Sequence, residues 1–203
     1  MRTLARACSL AVLATLLAAP AGSIAASAAD AVGEVASARG KATGILSGAA
    51  RELAPGADVF LDETLQTSAQ SRLSLQLGTE TKLQLGERTR LKIDKAIVEQ
   101  GGEIVLERGA MLFDRIDSGK GGSLVVRTPF SVIATRGTAF FVGPSNGVTG
   151  VFVQRGVVAV RTKGGTVALQ RGEGTDLVNA RTAPTPPKKW GAARIAAALN
   201  SVN

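Results

Sequence analysis

Between residues 72 and 93 the chain repeats one short pattern three times. Leu73, Leu75 and Leu77 alternate with Arg72, Ser74 and Gln76; after Gly78 comes Lys82-Leu83-Gln84-Leu85, and after Gly86 comes Arg90-Leu91-Lys92-Ile93. An apolar residue at every second position means extended backbone, because successive side chains of a strand point to opposite faces. The glycines and apolar pairs recur with a spacing of eight, which leaves room for a strand and a turn but not for a helix. Two readings follow: a rung of strand plus turn reused in a stacked or coiled sheet, or ordinary consecutive hairpins. In both, Leu and Ile face inward and a Lys/Arg/Gln face meets water.

The same texture runs on. Further strands are expected over 103–106, 110–116, 124–127, 130–134, 139–142, 149–154, 157–161 and 166–170, separated by Gly101-Gly102, the stretches 119–122 and 143–147, and Gly164-Gly165. Glycine reaches the positive φ angles of tight turns without steric penalty. Val125-Val126 and Val157-Val158 break the alternation, as strands covered on both faces or bent at a bulge would. The expected fold is therefore all-β, a single domain of short Gly-punctuated strands arranged as a twisted sandwich or a β-solenoid-like coil. Its core must be aliphatic, since the whole chain holds six Phe, one Trp and no Tyr.

The amino terminus stands outside that fold. Arg2 and Arg6 precede an apolar run over 10–19, then Pro20 and small residues ending in Ser27-Ala28-Ala29. This reads as a secretory signal over residues 1–29, cleaved before Asp30, with an uncleaved inner-membrane anchor over 8–28 as the alternative. The single Cys, Cys8, leaves with it. The expected location is the periplasm or the exterior of a bacterial cell, where the mature chain has no cysteine for disulfides and must rely on burial alone. Loss of Arg2 and Arg6 lowers the formal net charge of +8 to +6, which favours anionic surfaces such as envelope polysaccharide. Nucleic acid is not an expected partner, because basic residues are dispersed among acids and no aromatics are interleaved for base stacking.

Without histidine the chain cannot build a Ser-His-Asp or Cys-His system or a His-based zinc site. Asp62-Glu63, Asp114 with Asp117, and Glu173 with Asp176 are the available carboxylate pairs, but acids adjacent on a polar strand face or turn are usually just solvated. The stretch 172–178 resembles one calcium-binding nonapeptide turn in a single copy without its leading Gly, and reads as a hairpin turn. Neither a catalytic site nor a cofactor or metal is expected.

After residue 180 the composition changes. Pro184, Pro186 and Pro187 form a linker, Lys188-Lys189-Trp190 follows, and 192–199 suits a short helix. Eight or so residues fall below the ~12–15 that sustain an isolated helix, so this segment docks or frays. Trp190 either pins the tail to the β body or, beside Lys188 and Lys189, forms an exposed anchor for a partner or membrane surface. The organisation expected is residues 1–29 signal, 30–180 β domain and 181–203 linker and helical tail.

Residues 127–142, RTPFSVIATRGTAFFV, followed by a strand pair over 149–160, closely resemble the FecR domain, named after bacterial ferric-citrate transport regulators. The motif positions are Thr128, Pro129, Arg136, Gly137, Thr138, Phe140 and Gly156. Gly33-Glu34-Val35, Leu53 to Gly56, Leu65-Gln66-Thr67, the Leu-rich rungs, Glu107-Arg108-Gly109-Ala110 and the stretch 167–173 extend the likeness over about residues 33–179. Two positions depart from the family pattern: Leu77 precedes the Gly78-Thr79 turn where Asp is usual, and Phe130-Ser131 replace small residues.

The motif residues read as structural first: the Gly permits a turn, the Thr hydroxyl bonds nearby backbone, and the Arg fork bridges carbonyls or a carboxylate. The resemblance implies a non-catalytic accessory or interaction module in envelope signalling, which contacts an envelope or membrane protein by strand pairing or through its loops. The alternative is a structural or adhesive protein that holds anionic glycan or lipid head groups on the basic face of its rungs, with Lys82, Arg90 and Lys92 as the contacts.

Overall fold

The structure, a computed structural model, describes residues 30–95, 102–116 and 122–203. The expected signal over 1–29 lies outside the described residues, as do Gly101, Asp117 and residues 118–121. The chain opens with β1 (Ala31–Arg39), β2 (Ala42–Leu46), β3 (Ala49–Glu52), β4 (Asp58–Phe60) and β5 (Thr64–Thr67). The Leu-rich stretch supplies β6 (Arg72–Leu77), β7 (Thr81–Leu85) and β8 (Arg90–Lys95). Then come β9 (Gly102–Arg108), β10 (Met111–Arg115), β11 (Leu124–Arg127), β12 (Val132–Thr135), β13 (Ala139–Ser145) and β14 (Val148–Arg155). The last elements are β15 (Val157–Arg161), β16 (Thr166–Gln170), β17 (Glu173–Leu177), β18 (Lys188–Lys189) and α1 (Ala192–Asn200).

These strands form two nine-stranded sheets with no closed barrel. One, sheet A, has the order β4-β1-β6-β7-β10-β13-β14-β17-β18, and the other, sheet B, β3-β2-β5-β8-β9-β11-β12-β15-β16. Both orders climb in step with the chain after the first few strands. The chain lays one or two strands in one layer, crosses to the other, and so advances along the molecule. The architecture is thus a sandwich in its layers and a coil in its path. Among the described ladders only β9 with β11 is parallel.

The threefold pattern of residues 72–93 divides between these two moves. β6 and β7 are a hairpin in sheet A, with Leu75 opposite Leu83, whereas after Gly86 the chain switches layers and β8 pairs with β5 and β9 in sheet B. The inward set is uniform across the switch: Leu75, Leu83, Leu85, Leu91 and Ile93 are all fully buried. Each such side chain contributes about 2 kcal/mol by leaving water.

At layer switches the backbone leaves its ladder, and its amides and carbonyls need other partners. Buried threonines supply them. Thr67 Oγ1 donates to the Gly86 carbonyl at 2.6 Å and accepts the Thr89 amide at 2.9 Å, and Thr89 Oγ1 accepts the Ala110 amide at 3.1 Å. Near the first strands the buried Glu63 carboxylate holds Arg51 through two bonds of 3.0 Å and accepts the Phe60 amide at 3.0 Å.

The doubled valines signify neither double cover nor a bulge at their own positions. Val126 and Val158 point into the core, while Val157 is 59% exposed on the outer face of sheet B and Val125 is half-buried. The bulge falls earlier, where Ala139 faces Arg155 and Phe140 faces Val153, leaving Gln154 as the extra residue of β14. Likewise residues 172–178 are not a hairpin turn: they are mostly β17 of sheet A, entered from β16 of sheet B, so the chain crosses between layers there.

Among the described residues it is the outer face of sheet A that is covered. Leu112, Phe141 and Phe152 point outward there and meet Trp190, Ala198 and Val202, with Ile195 and Leu199 packed alongside. No helix among the described residues is long and apolar enough to cross a membrane.

Candidate interaction surfaces

The two halves of the motif flank β12 and so lie at opposite ends of the sandwich. At one end the turn over 128–131 is closed by Thr128, whose Oγ1 accepts the Ser131 amide at 2.9 Å and whose amide donates to the Ser131 carbonyl at 2.8 Å. Pro129 is exposed and Phe130 half-buried. At the other end Thr138 is fully buried, its hydroxyl bonded to that of Thr135 and its carbonyl accepting the Arg115 amide at 3.0 Å.

Gly156 packs directly against Gly137 and Thr138. It has φ +83°, and a Cβ there would stand 2.6 Å from Thr138 Cγ2 and 3.2 Å from the Gly137 carbonyl oxygen. The turn after β12 and the turn after β14 therefore pack directly on each other. Arg136 is exposed beside them, and Phe140 enters the core with its ring centroid 5.3 Å from that of Phe113.

In the tail, Lys188 and Lys189 are exposed but Trp190 is not; at 6% exposure it is no surface anchor. Its ring stacks on Phe152 at 5.1 Å, and the Arg194 guanidinium covers the ring at 3.7 Å. Gly150 and Gly174 make the seat, since a Cβ on Gly150 would lie 2.8 Å from the indole. The two lysines are committed to the same docking: they form β18 against β17, and Lys188 Nζ donates to Asp176 at 3.1 Å. Even the Pro-rich stretch is fixed, with the Thr185 amide donating to the Asp176 carbonyl at 3.1 Å and Thr175 Oγ1 donating to the Thr185 carbonyl at 2.7 Å.

Asp176 ties this tail electrostatically. Its burial pushes the carboxyl pKa up, but hydrogen bonds from Arg194, at 2.5 Å, and from Lys188 outweigh burial and hold it below the ordinary value of 3.8. A carboxyl depressed in the folded state contributes stability above its unfolded pKa and loses it as the pH falls through the folded one. The tail should therefore loosen below pH 3.8, seen as a red shift of the emission of Trp190, the only Trp. An unchanged spectrum down to the global acid transition would contradict this role.

The basic face expected on the rungs is not one face. Lys82 lies on sheet A, whereas Arg90 and Lys92 lie on sheet B. Arg90 is neutralised by Glu107 at 2.6 Å, and Lys92 by Asp62 at 2.9 Å and Asp94 at 3.0 Å. Hydrogen bonds to Asp62 and then Asp94 raise the Lys92 pKa. The candidate carboxylates are similarly engaged: Asp114 with Arg155 at 2.6 Å, and Glu173 with the Gln170 amide at 2.9 Å. Among the described residues no cluster of acids could hold a metal ion.

Sequence reasoning did not single out the sheet edges individually. Among the described residues four strands end the two sheets. β18 has two residues, both Lys, preceded by Pro186 and Pro187; β4 has three residues, with Arg51 donating to the Asp58 carbonyl; β3 carries Arg51 and Glu52. Short length, Pro and charge are the usual guards against stray pairing. β16, Thr-Val-Ala-Leu-Gln, has none of them. The Gln170 amide donates to Glu173 rather than to β15, and the Thr162 amide donates to the Gly165 carbonyl at 2.9 Å. Antiparallel alternation then turns the amides and carbonyls of Thr166 and Ala168 outward. Both residues are exposed.

Comparison with known proteins agrees with this architecture. The family model described as FecR protein matches residues 63–159, which hold the Leu-rich rungs and both halves of the motif. Two crystal structures of a protein described as an anti-sigma factor from Parabacteroides distasonis, at 2.50 Å and 1.65 Å resolution, share the fold. Each has TM-score 0.56 and 18% identity over 67% of this chain. The chain spans 63% and 64% of the length of those two chains. No curated protein matches the sequence.

Proposed function

From a chain that carries a FecR domain, we propose a non-catalytic interaction module of bacterial envelope signalling. In this reading the chain is exported under the direction of residues 1–29 and works in the periplasm or outside the cell. It acts by binding an extended segment of an envelope protein along β16.

The β16 edge carries the reading. It is a terminal strand with outward amides and carbonyls, and it lacks the guards of the other three edges. Main-chain pairing supplies affinity in strand addition, while alternate side chains supply choice of partner.

Ala168→Pro tests it. Pro there removes an outward amide that β15 does not use, so the fold should hold while edge pairing is blocked. Proximity labelling in intact envelopes should enrich a defined protein with the natural chain and lose it with A168P, at unchanged melting temperature. The same proteins recovered with both chains, or none with either, would reject the proposal.

A further inference from the structure

Where the turn after β11 faces the turn after β15, the surface opens into a cleft of about 360 Å³. Its chemistry is divided. Pro129, Phe130 and Val132 give it apolar surface, and Arg127, Arg161 and Lys163 give it cations. Val132 lies between Arg127 and Arg161 in register, one strand from each. At strand spacings of about 4.8 Å the two arginine backbones stand about 10 Å apart on one face.

Part of the cationic charge is unspent. Arg127 is ion-paired through Nε with Glu103. Arg161 and Lys163 are both exposed, and among the described residues neither has an ion-pair partner. In contrast, Arg90, Lys92 and Arg155 elsewhere on the surface each face a carboxylate.

The walls are also held in place before any ligand arrives. Thr162 Oγ1 donates to the Thr182 carbonyl at 2.9 Å and accepts the Gly164 amide at 3.1 Å, and the Lys163 amide donates to the Ala180 carbonyl at 2.9 Å. Across the cleft Thr128 locks the turn that carries Pro129 and Phe130. A preset site loses less conformational freedom on binding.

We propose that this cleft binds an acidic sugar, the carboxylate meeting Arg161 and Lys163 and the pyranose ring lying on Pro129 and Phe130. Arg forks match carboxylate geometry, and a small, half-apolar cleft at the lower end of ligand-site volumes suits one ring rather than a bare ion or a large ligand. The site is separate from strand pairing and stands or falls independently of it.

The probe is D-galacturonate, titrated into the ¹⁵N-labelled protein, with D-galactose and inorganic phosphate in parallel. Galacturonate should bind in the millimolar range, at least about tenfold more tightly than either control. Replacing both cations, Arg161→Gln with Lys163→Gln, should weaken it by about tenfold or more while the melting temperature holds. Binding should also weaken as salt rises. Phosphate binding as tightly as galacturonate would overturn the sugar assignment. Absence of galacturonate binding, or its survival in the folded double variant, would overturn the site itself.

Discussion

Replacing Trp190 with Ala should cost about 4 kcal/mol and free the carboxy-terminal tail, because large aromatic to Ala changes in packed sites cost about 3–5 kcal/mol. The indole is the centre of the second apolar cluster, between Phe152 and Arg194. Among the described residues its buried N–H has no hydrogen-bond partner, which offsets part of the gain and keeps the expected loss below the top of that range. The nine-residue helix α1 has no side-chain cap and too few turns to persist alone. Its release would bare Leu112, Phe141 and Phe152 on sheet A. Trypsin should then cut within residues 188–194, and dye binding to exposed apolar surface should rise. A variant as resistant to trypsin as the natural chain would show that α1 is held by something other than this ring.

How far such features were legible from sequence depends on their range. The segments 124–127, 157–161 and 166–170 coincide with β11, β15 and β16, because alternation and flanking glycines are local signals. The layer switch after Gly86 had no such signal. Gly78 and Gly86 look alike in sequence; what separates them is Thr67 reaching Gly86 and Thr89 from another strand. Charge was misjudged for the same reason, since Arg90 and Lys92 meet Glu107 and Asp62, acids brought close only by folding. The Pro-rich stretch read as linker because proline cannot join a ladder in full, yet Pro184 is buried and Thr185 supplies the bonds to β17. The cleft between the two turns joins residues 127–132 to 161–163, and a pattern of single residues along one strand cannot reveal it.

The motif offers the other large effect. Phe140→Ala should cost about 4 kcal/mol, a cavity in the aliphatic core that the surrounding Leu and Val side chains cannot close. Phe113, Phe140 and Phe141 are the three phenylalanines with no exposed surface, but only Phe113 and Phe140 face between the sheets, so Phe113 loses its one aromatic neighbour. For a domain of this size a loss of that scale lowers the melting temperature by about 10 °C. Val157→Ala, on the exposed face of the other sheet, should change stability by less than about 0.5 kcal/mol. The contrast separates two reasons why a motif keeps its residues. If Phe140 serves the fold, the truncated protein that remains folded at low temperature should still label the same envelope partner and bind galacturonate as before. Loss of either activity in the folded F140A protein, with Val157→Ala normal, would mean that the motif transmits to the surface rather than only supporting it.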